Sequence, residues 1–89
     1  MQKDTIVKIR SHTYGNKNVI GKIVETLRKQ LGYSQKDFIA KLQLAGLDIN
    51  PTSYSKLEGQ IRIATDKEVY TIAKVLKVPL EALFPTKEN

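Results

Sequence analysis

Residues 33–60 read YSQKDFIAKLQLAGLDINPTSYSKLEGQ. Ser34 carries the side chain of a helix N-cap, and Asp37 follows near capping-box spacing. Phe38, Ile39 and Leu42 recur at helical spacing and predict one buried face. Asn50 is a second N-cap. Pro51 stands at the first helical position, where its missing N–H breaks no helical bond. Tyr54 and Leu57, three apart, mark the inner edge of this second helix, and Thr52, Ser53 and Lys56 fall outside it. Between the two, residues 43–49 predict the end of a lengthened helix, with Gly46 as C-cap, and then a long turn with Asp48-Ile49 extended.

Two short helices joined in this way have the layout of a helix-turn-helix, whose second helix is shaped to enter the major groove of DNA. Such a surface requires short polar or cationic groups near a helix N-terminus, and Thr52, Ser53 and Lys56 supply them. The plain alternative is an ordinary solvated helix face. Gln35 is either a simple helix former or a phosphate contact; the free N–H groups of a helix N-terminus attract anions and favour the second. Ser34, Lys36 and Asn50 join the candidate set, and Arg62, a loop cation, is a candidate contact to the nucleic-acid backbone. The spacing of Tyr54 with Leu57 assigns its ring to the core, with the hydroxyl left to reach solvent or a phosphate.

The chain has 89 residues, enough for one small domain that buries about 60–65% of its unfolded surface. It has no cysteine, so neither a disulfide framework nor a thiolate metal site is expected. No apolar run approaches a membrane span or signal-peptide core, and a soluble, cytoplasmic protein with no membrane partner is expected. Residues 1–36 hold eight Lys/Arg (Lys3, Lys8, Arg10, Lys17, Lys22, Arg28, Lys29, Lys36) against Asp4 and Glu25, which accounts for the whole net charge of +6. The remainder is neutral. This asymmetry suits a polyanion partner, although a lysine-rich solvated face produces it too.

Residues 5–10, TIVKIR, are β-branched and read as a single strand. One strand needs a partner. The expectation is pairing with the same segment of a second molecule, giving a homodimer. A basic arm reaching the minor groove through Lys3, Lys8 and Arg10 competes with it, and a dimer contact through Leu80, Leu83 and Phe84 is a third possibility. Residues 11–17 read as a turn around Gly15-Asn16. Residues 19–31 predict a helix capped by Asn16 or Asn18, with Val19, Ile20, Ile23, Val24, Leu27 and Leu31 in one apolar stripe and Gly32 closing it. After a loop over 60–64, Thr65 and Glu68 form a capping box that opens a helix over 65–76. Val69, Ile72, Ala73 and Leu76 face inward. Pro79 introduces a last short helix over 80–84, ended by Pro85. The expectation is an all-α, five-helix domain over residues 18–85, with an arm over 1–17 and a tail over 86–89.

Residues 20–84 resemble the lambda-repressor and Cro-like helix-turn-helix family, also called the xenobiotic-response-element (XRE) family. The resemblance is carried by Ile20-Gly21, Leu27-Arg28-Lys29, Leu31-Gly32-Tyr33-Ser34-Gln35, Ala40-Lys41-Leu42, Tyr54-Ser55-Lys56-Leu57-Glu58, the run IAKVLKV over 72–78 and LEALF over 80–84. It implies a five-helix DNA-binding domain, usually dimeric, in a small regulator of bacterial or phage type. It also implies a phosphate contact by Gln35, base-edge contacts by Thr52, Ser53 and Lys56, and a structural role for Glu58. Three departures stand out. The turn before the second helix of the pair is longer than the family's shortest form. Pro51 occupies a position where many relatives carry a base-reading side chain. The family's usual glycine after the recognition helix falls at position 60, where this chain has Gln60.

His12 is the only histidine, with no companion for a metal and no nucleophile to serve, and no Gly-rich phosphate loop is present. An enzyme, a cofactor and a small-molecule ligand are therefore not expected. Two function classes remain: a sequence-specific regulator of double-stranded DNA, and an antitoxin-like or other protein-interaction module on the same fold. The basic N-terminal half and the polar face favour the first.

Overall fold

Asn18 sets where the first helix begins. Its side-chain oxygen accepts from the backbone N–H of Ile20 and Gly21 at 3.0 and 2.9 Å, while its amide donates to the carbonyls of Leu57 and Arg62. One short side chain thus caps a helix and ties it to the loop that follows another. The computed structural model describes residues 14–86. The expected strand over 5–10 and His12 lie outside the described residues.

Among the described residues the chain forms four α-helices and one 3₁₀ helix, and no strand. They are α1 (Gly21–Gln30), α2 (Gln35–Leu44), α3 (Pro51–Glu58), α4 (Asp66–Leu76) and the 3₁₀ helix Leu80–Leu83. The expected fifth α-helix is corrected to this 3₁₀ turn: its bonds run i→i+3, from Ala82 N–H to Pro79 O and from Phe84 N–H to Glu81 O. α1 begins two residues later than expected, and Val19 and Leu31, at the ends of its stripe, stay exposed. α2 ends at Leu44, which is 88% exposed; Gly46, with φ +98°, turns the chain so that Leu47 and Ile49 drop into the core. Gly32 likewise takes a positive φ after α1.

The caps follow the sequence closely. Ser34 Oγ accepts from Asp37 N–H, Asn50 Oδ1 from Ser53 N–H, and Thr65 and Glu68 form a reciprocal capping box. The core gathers one face from every element: Ile20 and Val24; Phe38, Ile39 and Leu42; Tyr54 and Leu57; Ile72, Ala73 and Leu76; and Leu83. Phe38 sits between Tyr33 and Tyr54, with ring centroids 6.1 and 5.7 Å away. α1 and α3 cross at Gly21, where an added Cβ would lie 2.3 Å from the Leu57 carbonyl oxygen. Only glycine allows that approach.

Residues 14–17, expected to belong to the arm, are bonded onto this framework. Tyr14 OH donates to Glu25, Gly15 N–H to Gly59 O and Lys17 N–H to Gln60 O. No described helix is long and apolar enough to cross a membrane.

Candidate nucleic-acid interface

Asn50 and Pro51 start α3 with two complementary devices. Asn50 accepts the bond that its first turn needs, and Pro51 pre-sets the first helical φ. The helix is only eight residues long, so its stability comes from what it packs against rather than from its own turns. Tyr54 and Leu57 are fully buried and hold one side down. Thr52, Ser55 and Lys56 then share the opposite side, with Pro51 and Ile61 beside them. Thr52 and Lys56 are exposed, and Ser53 is half-buried. Ser55 belongs to this face and escaped the sequence reading, although the i, i+3, i+4 spacing from Thr52 identifies it.

Beneath the face lies a buried polar network centred on Glu58, which is 0% exposed. Arg28, 5% exposed, grips it from α1 with Nε to Oε2 at 2.7 Å and Nη2 to Oε1 at 3.2 Å. Gln35 Nε2 donates to Oε1 at 2.9 Å from the first turn of α2, and Tyr54 OH donates to Oε2. Arg28 Nη1 also bonds the Tyr33 carbonyl at 2.7 Å. One carboxylate therefore joins α1, α2 and α3. Burial works against the Arg28 charge, yet its hydrogen bonds and attraction to Glu58 hold the guanidinium pKa above its ordinary value. Burial, reinforced by the Glu58 charge, keeps the Tyr54 hydroxyl protonated well beyond its usual range.

This network bears on three expectations. Tyr54 OH does not reach solvent or phosphate, because Glu58 takes its proton donor in the interior. Arg28 is not available to a polyanion. Gln35, expected to hold a phosphate, commits one amide hydrogen to Glu58; the amides of Gln35 and Lys36 still sit in the first turn, where no helical acceptor precedes them. An acid four residues after Tyr54 and next to Leu57, on the inner edge of the helix, was the signal in the sequence that a cation had to come from another helix.

Arg62 is likewise engaged within the fold. Nε donates to the Ser53 carbonyl at 2.9 Å, Nη1 to the Ile63 carbonyl, and Nη1 and Nη2 each to one oxygen of Glu68 at 2.9 Å. The residue straps the loop after α3 to the start of α4. Gln60, where a glycine was expected from the resemblance, has the left-handed φ of +60° that glycine would adopt. Its side chain secures that geometry, accepting from Lys22 N–H and donating to the Gly15 carbonyl.

Of the sequence candidates, Ser34, Lys36, Asn50, Thr52 and Lys56 are exposed around the first turns of α2 and α3. Ser34 and Asn50 spend a side-chain oxygen on capping. Lys29 pairs with Glu25 at 3.2 Å, and Lys22 lies over the Tyr14 ring. Among the described residues, no three His, Cys, Asp or Glu side chains assemble into a metal-binding group.

A family model described as "Helix-turn-helix" matches residues 24–83. No curated protein and no solved structure matches the chain.

Proposed function

Because the chain belongs to the lambda-repressor-type (XRE) helix-turn-helix family, we propose that it is a transcriptional regulator that reads double-stranded DNA with α3 in the major groove. The observation that carries this reading is the contrast between the two sides of α3. One side is locked by Tyr54, Leu57 and the Glu58 network, and the other presents Thr52, Ser55 and Lys56, with no ion pair to the Lys56 ammonium among the described residues. A rigid helix carrying short donors and acceptors and one cation matches the donor and acceptor pattern of base edges. Lys36 and the first-turn amides of α2 flank it and suit a phosphate. The protein acts as a homodimer paired through residues 5–10. That pairing rests on the run of Ile6, Val7 and Ile9 in the sequence, and a two-fold dimer of helix-turn-helix units reads half-sites about one DNA turn apart.

Selection of bound sequences from a random DNA pool, at two fixed salt concentrations, tests the reading. A reproducible consensus is expected, and Lys56→Ala should weaken binding to it by about 1–3 kcal/mol while random DNA is affected less. A pool that returns no consensus would sink the proposal.

A further inference from the structure

Beside the polar face of α3 lies a second, chemically different surface. A groove of about 650 Å³ runs between α2 and the first turn of α3, lined by Gln35, Lys36, Ile39, Ala40, Gln43 and Pro51. Its floor is hydrocarbon from Ile39, Ala40 and the Pro51 ring. The two amides on its walls are already engaged: Gln35 Nε2 donates to Glu58 and Gln43 Nε2 to the Ile49 carbonyl at 2.9 Å. Pro51 has no N–H to offer.

We propose that this groove is a specificity pocket that takes the 5-methyl group of a thymine at one edge of the bound DNA site. The inference rests on the reading of α3 as the groove-bound helix and names one base that it selects. Three observations support it. Pro51 lines both this groove and the face of Thr52, Ser55 and Lys56, so base edges meeting the two surfaces are neighbours. Lys36 stands at the rim in the first turn of α2, so the occupant is negatively charged outside and apolar at the contact. Along the major groove only one base-edge group is apolar, the C5-methyl of thymine. A base edge and its methyl fit an open groove of this size, with the adjoining phosphate left beside Lys36.

The experiment uses the full chain and the consensus from pool selection, with each thymine replaced in turn by deoxyuridine, which removes one methyl and nothing else. At one position per half-site the wild type should bind about fourfold more weakly, the worth of one buried methyl. In Pro51→Ser, and separately in Ala40→Gln, which fills the groove, that difference should vanish while circular dichroism shows an unchanged fold. The pocket is overturned if no deoxyuridine position weakens binding. It is overturned also if the loss persists in both variants, or if Thr52→Ser alone abolishes it, which would move the methyl contact onto α3. A change in sedimentation mass in Pro51→Ser with the methyl effect intact would assign the groove to a protein contact instead. A pool that yields no consensus fails the DNA reading itself, whereas a consensus blind to methyl removal fails only the pocket.

Discussion

Glu58 illustrates why one residue on α3 matters beyond its own helix. Its carboxylate is fully buried and has partners on α1, α2 and α3, so removing it strands the Arg28 charge in the interior. Breaking a buried pair from one side costs about 3–5 kcal/mol. Glu58→Ala is therefore expected to lose that much stability in urea unfolding; a loss below about 1 kcal/mol, the level of a surface pair, would contradict the role assigned to it. Glu68 offers a milder test. Burial pushes its carboxyl up, but the Arg62 hydrogen bond and the Thr65 backbone N–H outweigh this and hold it below the ordinary 4.5. A carboxyl held low in the folded state stabilises the fold above its unfolded value. That contribution fades as pH falls from about 4.5 through the folded value. Thermal melts from about pH 6 to about pH 3 should show a shallower acid-side decline in Glu68→Gln than in the wild type. Identical declines would show that the strap from Arg62 contributes nothing.

At the scale of the element, the decisive contact is the crossing of α1 and α3. A methyl on Gly21 would meet two backbone oxygens, at 2.3 Å for Leu57 and 2.5 Å for Glu58, and neither can swing aside as a side chain would. Gly21→Ala is expected to destabilise by about 1–3 kcal/mol through overpacking, despite the better helix propensity of alanine. An alanine variant as stable as the wild type would mean that the helices separate without strain. The entry to α1 is held at the same crossing: Asn18 accepts from the amides of Ile20 and Gly21 and donates to the Leu57 and Arg62 carbonyls. The start of α1 is thus set from outside the helix.

For the molecule as a whole, folding engages several of the described cations. Arg28 and Arg62 are consumed internally and Lys29 is paired, which leaves Lys36 and Lys56 as exposed cations beside the candidate interface. Each phosphate neutralised contributes about 0.9 to the log–log salt slope of binding. Lys36→Gln should therefore lower the slope by about 0.9, whereas Lys29→Gln should leave it nearly unchanged; equal effects would show that the exposed cations were misassigned. Assembly is the other property of this scale. Tyr14 OH bonds Glu25 and Gly15 N–H bonds Gly59, so a truncation that respects the domain removes residues 1–13 and no more. Sedimentation of that truncated chain should show a folded monomer if residues 5–10 pair across a two-fold axis. A dimer that survives at micromolar concentration would place the interface elsewhere.

The sequence by itself determined the three α-helices between residues 34 and 76, their caps and most of their buried faces. Ser34, Asn50 and Thr65 each act within three residues of their partner, and the period of Phe38, Ile39 and Leu42 is a local property of the chain. It also determined the family resemblance and the outward positions of Thr52 and Lys56. What it left open was the use of groups whose partners lie far along the chain. Arg28 and Glu58 are 30 residues apart, Gln35 and Glu58 23, and Asn18 and Arg62 44. Side chains with several donors, read one segment at a time, look free to bind phosphate. Only the packing of α1 against α3, and of the loop after α3 against both, brings the acceptors within reach.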